Sequence, residues 1–109
     1  MSQEIVESVM EPLVDTMLEM QEQMNQKVNT DWRNQSYDWY RAIWVECAEL
    51  MDHYGWKWWK HQSPDLEQIK LELVDIWHFG LSLMLVEAPG DSDLSNTIVK
   101  EFSEPRHYD

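Results

Sequence analysis

Apolar residues recur at Val6, Met10, Leu13, Met17, Met20, Met24 and Val28, at alternating spacings of four and three. That period lays them along one stripe of a long amphipathic helix. Pro12 falls inside the stripe, so the helix is expected either to begin near it or to bend there, because proline removes a backbone donor and crowds the preceding turn. The stripe is narrow and heptad-like, as in a bundle or a seam between subunits. Asn34, Gln35 and Ser36 form a polar break, after which Tyr40, Ile43, Trp44, Cys47, Leu50, Met51 and Tyr54 resume helical spacing and Gly55 ends it. Residues 56–63 read as a connection rich in aromatic and basic side chains. Ser63 can cap a third helix, with Pro64 at its first position and Glu67 where the helix dipole favours negative charge. This helix is expected to reach about Glu87, and from Leu71 to Val86 it is apolar on nearly every face, the pattern of a helix in the centre of a bundle. Ala88, Pro89 and Gly90 predict a turn, and Leu94, Ile98, Val99 and Phe102 a short fourth helix; Glu104 to Asp109 carry no periodicity.

The expected fold is therefore all-α, a helical bundle of three long helices and a short C-terminal one, which dimerises through the first helix, with the fourth as a second candidate surface. At 109 residues the chain is expected to form a single domain over 1–109. A domain of that size buries roughly two-thirds of its unfolded surface, so a partner copy would help it. Seven tryptophans and seven methionines supply large core volume, and three glycines with four prolines leave few interruptions.

Charge narrows the function classes. A net charge of −13, with no cluster of cations, argues against a nucleic-acid partner. The longest apolar stretch, near Leu81 to Val86, is far short of the ~20 residues that cross a bilayer, and no basic-then-apolar signal opens the chain. The alternation of Trp56, Trp58 and Trp59 with lysines could suit a membrane interface, but the overall negative charge opposes anionic lipid. A cytoplasmic protein without membrane attachment is expected. The single cysteine, Cys47, lies in an apolar helical pattern and is expected to be a small buried hydrophobe.

The chemistry is carried by acids. Glu46 and Glu49 are three apart on the second helix, which puts both on one face, and Glu72 and Asp75 repeat the device on the third. The second pair lies in the run Leu71-Glu72-Leu73-Val74-Asp75-Ile76-Trp77, where a carboxylate faces heavy desolvation. A short connection makes the two helices antiparallel neighbours, and four carboxylates brought together repel unless cations sit among them. Oxygen-only ligands suit hard cations such as Mg²⁺, with Mn²⁺ as a substitute, and Mg²⁺ characteristically completes its shell with phosphate oxygens and water. A single Glu-x-x-Glu is ordinarily a solvated helix face; two facing pairs are not.

This pattern, Glu46-x-x-Glu49 followed by Glu72-x-x-Asp75, resembles the signature of the all-helical nucleoside triphosphate pyrophosphohydrolases, which include the MazG-type enzymes and the dimeric dUTPases. The stretches Gly55-Trp56-Lys57-Trp58-Trp59-Lys60 and Glu72-Leu73-Val74-Asp75-Ile76-Trp77-His78-Phe79 resemble the dimeric dUTPases and the related phage dCTPase-dUTPases in particular. Met20-Gln21-x-x-Met24-Asn25 is similar to the segment with which that family contacts uracil and deoxyribose, and the likeness runs from roughly Met17 to Ser82. The resemblance implies a homodimer or higher homo-oligomer that hydrolyses dUTP to dUMP and pyrophosphate in a Mg²⁺-carboxylate cluster. It implies Glu46, Glu49, Glu72 and Asp75 as metal ligands, with Glu49, and Glu46 beside it, as the catalytic carboxylates, Glu49 orienting the attacking water. Trp58 would line the base pocket, Lys57 or Lys60 would neutralise phosphate, and His78 would pack on the sugar where a 2′-hydroxyl cannot fit. Gln21 and Asn25 would hydrogen-bond the nucleoside. Relatives usually carry a further C-terminal region with basic and aromatic residues that close over substrate; no such motif follows Val86, so a minimal phage-like or truncated form is expected.

Three other readings compete. A broader dNTP range, dCTP with dUTP or MazG-like, fits the same acids. A helical dimer that binds nucleotide without turnover fits a chain lacking closure. Asp75-x-x-His78 is half of a di-iron bundle site, but only one such unit exists, His53 following Glu49 by four rather than three. His61 and His107 carry no comparable context.

Overall fold

A computed structural model describes residues 2–104, and within them the chain is all-helical, with no strand. Four α-helices follow in order: α1 (Gln3–Val28), α2 (Trp39–Tyr54), α3 (Leu66–Glu87) and α4 (Leu94–Ser103), with a 3₁₀ turn, Trp32–Asn34, between the first two. Residues 105–109, which include His107 and most of the aperiodic C-terminal segment, lie outside the described residues. No helix is long and apolar enough to cross a membrane.

The helices divide into two compact units. One comprises residues up to Trp32 together with those from Met84 onward. In it α1 starts at Ser2, whose hydroxyl accepts from the Ile5 N–H, and continues through Pro12 rather than starting there. α1 packs against α4. Val14 and Leu18 on α1, and Leu94, Ile98 and Val99 on α4, are buried, and the Asn96 amide donates to Glu11 at 3.1 Å to tie the two helices at their rim.

The buried face of α1 is not the one its apolar spacing predicts. Val14, Leu18, Gln21 and Asn25 are buried, again at steps of four, three and four, whereas Met10, Leu13, Met17, Met20, Met24 and Val28 are exposed. α1 therefore carries two stripes, and the more apolar of them is the more exposed.

The other unit spans Arg33–Leu83 and holds α2 and most of α3. α2 ends at Gly55, which adopts the left-handed conformation (φ 87°) and donates its N–H to Met51 O. A Cβ at that position would stand 2.9 Å from the Gln62 Cβ, so glycine serves both the turn and the close approach of the chain. Gln62 in turn accepts the Lys57 N–H, and Asp65 N donates to His53 O at 2.8 Å, closing the connection back on the end of α2. α3 begins later than Ser63: Asp65 accepts the Gln68 N–H on its side chain and the Ile69 N–H on its carbonyl, so Asp65 caps the helix. Its carboxylate matches the dipole better than a hydroxyl does.

Two expectations of burial fail in this unit for one reason. Cys47 is exposed, on a face of α2 that it shares with the exposed Trp44 and Met51. Leu71, Leu73 and Val74 on α3 are likewise exposed, so the first half of α3 is not a central helix. Apolar spacing marks these positions as helical, but it does not say which of them leave water, and these stay exposed.

Candidate metal centre

α2 and α3 run antiparallel, because their cross-helix partners descend on one helix as they climb on the other. Trp39 meets Phe79 with ring centroids 6.1 Å apart, Glu46 hydrogen-bonds Asp75, and His53 approaches Glu72. Helical spacing explains why these residues face one another. Glu46, Glu49 and His53 step by three and four along α2, and Glu72, Asp75 and Phe79 do the same along α3.

One oxygen from each of Glu46, Glu49 and Glu72 lies within 4.8 Å of the others. Asp75 stands beside this group, hydrogen-bonded to Glu46. The four differ in solvation. Glu72 is only 3 % exposed, Glu46 is half-buried, and Glu49 and Asp75 reach water. Sequence alone gave Glu72 and Asp75 the same apolar surroundings; the exposed flank of α3 frees Asp75 of them.

The electrostatics are unfavourable without a counter-ion. Two carboxylates about 4 Å apart repel by on the order of 1 kcal/mol in bulk water and about 4 at the effective dielectric of a protein surface. Glu46 records the strain: its carboxyl is pushed above its ordinary value of 4.5, first by removal from water, then by the charges of Glu49 and Asp75, by the hydrogen bond to Asp75 and by the charge of Glu72. That hydrogen bond and the neighbouring negative charges both favour the protonated form of Glu46. Among the described residues no lysine or arginine pairs with any of the four acids. His53 approaches them with its Nδ1 3.0 Å from Glu72 Oε1, without the alignment of a hydrogen bond, and Glu72 Oε2 is buried with no hydrogen-bond partner among the described residues.

An orphaned carboxylate oxygen in a dry position costs at least 1–3 kcal/mol, more when charged. A hard divalent cation removes that cost and the mutual repulsion together, and the donor set, oxygen only, is the type that Mg²⁺ and Mn²⁺ take. Glu46, Glu49 and Glu72 fit such an ion; Asp75 touches Glu46 but is not among the donors that converge within 4.8 Å.

The remaining candidates are placed as follows. Lys57, Trp58 and Lys60 lie on the connection between α2 and α3, in the same unit as the acids. Trp58 is 84 % exposed, its ring 4.7 Å from Trp59 and 6.4 Å from Trp56 in edge-to-face contacts. Neither lysine is ion-paired among the described residues. His78 is half-buried one turn beyond Asp75, and its carbonyl accepts from the fully buried Ser82 hydroxyl. Gln21 and Asn25 belong to the other unit, where both are buried and the Gln21 amide donates to Asn25 at 2.9 Å. His53 was visible in the sequence only as a residue four beyond Glu49. Its place seven beyond Glu46, on the same helix face, was the signal that it belongs with the acids.

A family model described as dUTPase matches residues 14–104, a span that contains both carboxylate pairs and the Gln21 and Asn25 pair. Comparison with curated proteins and with solved structures finds no match.

Proposed function

The chain belongs to the all-α dimeric dUTPase family, and from that premise we propose that it hydrolyses dUTP to dUMP and pyrophosphate, with Mg²⁺ as cofactor and as a homodimer. Family membership makes it a nucleotide pyrophosphohydrolase of the dUTPase type. The observation that carries the finer reading is the convergence of Glu46, Glu49 and Glu72 around a buried carboxylate oxygen that has no hydrogen-bond partner among the described residues.

A bound Mg²⁺, or Mn²⁺ in its place, supplies Lewis-acid neutralisation of phosphate charge and a water of lowered pKa. Glu46, Glu49, Glu72 and Asp75 hold it. Glu49 is the exposed member of the three converging acids, and it takes the proton of the attacking water as general base while the Glu46 carboxylate beside it keeps that water in line. Lys57 and Lys60, whose ammonium groups are not engaged elsewhere among the described residues, meet the phosphates. Trp58 offers its open ring face to the base. His78 packs on the deoxyribose, and Gln21 and Asn25 exchange part of their mutual hydrogen bonding for the nucleoside. A second copy covers the exposed apolar stripe of α1, whose Met10, Leu13, Met17, Met20 and Met24 would otherwise stay wet.

The deciding experiment is a panel of dUTP, dCTP, TTP and UTP with Mg²⁺, read by pyrophosphate release. Release from dUTP in clear preference to UTP is expected. Equal release from every dNTP would replace the dUTP assignment with a broad dNTP range, and Mg²⁺-dependent binding with no release would leave a nucleotide-binding dimer without turnover.

A further inference from the structure

His53 lies outside the three converging donors, yet among the described residues it is the basic side chain that approaches the buried Glu72 carboxylate. Its Nδ1 is 3.0 Å from Glu72 Oε1 without hydrogen-bond alignment, and both this nitrogen and the other oxygen of the same carboxylate, Oε2, are buried with no hydrogen-bond partner among the described residues. Two lone pairs at that separation would repel, so the contact is attractive only if Nδ1 carries the hydrogen. A carboxylate with one oxygen approached by a donor and the other bare has its two oxygens assigned to different tasks.

Resting on the metal reading proposed above, we infer that His53 is a positioning residue: its Nδ1–H engages Glu72 Oε1 and so turns Oε2 toward the divalent cation. Three features converge on this role. Glu46, Glu49 and His53 occupy one face of α2, so the imidazole enters the cluster from the same side as two of the ligands. Glu72 is the most buried of the four acids and has no lysine, arginine or backbone N–H to orient it among the described residues. The Asp65 N–H holds the His53 carbonyl at 2.8 Å, which fixes the backbone from which the ring projects just where α2 ends. Partners of metal ligands act by restricting ligand orientation, and their removal typically weakens metal binding about 10–100-fold.

The test uses the full chain and Mn²⁺ as the probe, titrated by electron paramagnetic resonance against wild type, His53→Leu and His53→Asn, with helix content followed by circular dichroism. Leucine fills the space without a donor, whereas the asparagine amide can stand where Nδ1 stands. His53→Leu is expected to raise the Mn²⁺ dissociation constant by about tenfold or more, and His53→Asn to recover most of the loss. Unchanged affinity in a folded His53→Leu would overturn the role. So would a nitrogen hyperfine coupling lost on His53 substitution, which would make the imidazole a ligand. Should His53→Leu not fold, His53→Asn against His53→Gln carries the same contrast, because the longer side chain puts its amide near the Nε2 place; equal affinities would overturn the inference. A wild type that binds no Mn²⁺ would sink the metal reading itself, an outcome distinct from any of these.

Discussion

The two compact units join their helices by opposite means. α1 and α4 meet through Val14, Leu18, Leu94, Ile98 and Val99, side chains that gain by leaving water. α2 and α3 meet through Trp39 and Phe79 but also through Glu46, Glu49, Glu72 and Asp75, side chains that lose by it; α2 has no buried residue, and Glu72 of α3 is a buried acid. Stability and chemistry are thus separated along the chain. The first pair joins apolar faces, while the second brings together carboxylates whose repulsion a counter-ion would relieve.

The largest effect is expected where chemistry alone is removed. Glu49→Gln should lower dUTP turnover by at least ~10²-fold, the scale for losing a general base, with helix content unchanged because the residue is exposed; unaltered turnover would take Glu49 out of the reaction. The complementary change belongs to the apolar pair. Ile98→Ala should cost about 2–4 kcal/mol in denaturant unfolding, as for a buried isoleucine elsewhere, and a loss under 1 kcal/mol would show that α1 and α4 do not form a true core.

Metal and pH then discriminate between the units. Mg²⁺ at a hundred times its dissociation constant should stabilise the chain by about 2.7 kcal/mol, with added hydrogen-exchange protection concentrated in α2 and α3 rather than in α1 and α4. Without the ion, the sign follows from Glu46. Its carboxyl is raised above 4.5 in the folded chain, so the folded state holds the proton more tightly; the associated stability is present below pH 4.5 and lost as pH rises through the raised value. Thermal unfolding in chelator should therefore weaken across that window, and Mg²⁺ should reverse the loss at neutral pH and not at pH 4. Parallel curves with and without Mg²⁺ would dissociate the ion from these acids. The smallest effect is a matter of selectivity: His78→Ala should reduce the dUTP over UTP preference by about the 10–200-fold that one steric contact provides, or less, and an unchanged ratio would remove His78 from sugar discrimination.

The same division explains what was legible beforehand. Helices α1, α2 and α4 were readable from apolar spacing, since that period is a local property, and the family likeness rested on residue patterns that need no coordinates. Which face is buried was not readable. On α1 the stripe through Met10, Met17 and Met24 is the more apolar, yet Val14, Leu18, Gln21 and Asn25 go inside, because hydrophobicity marks whatever must be covered without saying by whom. Cys47, Leu71 and Val74 were misjudged for that reason. At the site, the i, i+3 spacing foretold that acids would share faces, but not that Glu72 would be dry and Asp75 wet, since that depends on which flank of α3 a neighbouring helix covers. The start of α3 shifted from Ser63 to Asp65 because two residues compete to cap and the carboxylate wins.

Gly55 sets a boundary on how this protein can vary. A replacement there would have to adopt a φ of 87° that L-residues resist and would also strike the Gln62 Cβ at 2.9 Å. The course of the segment that carries Lys57, Trp58 and Lys60 is consequently pinned at its root, and substitution can retune the groups it displays while leaving the path on which they are displayed almost no latitude.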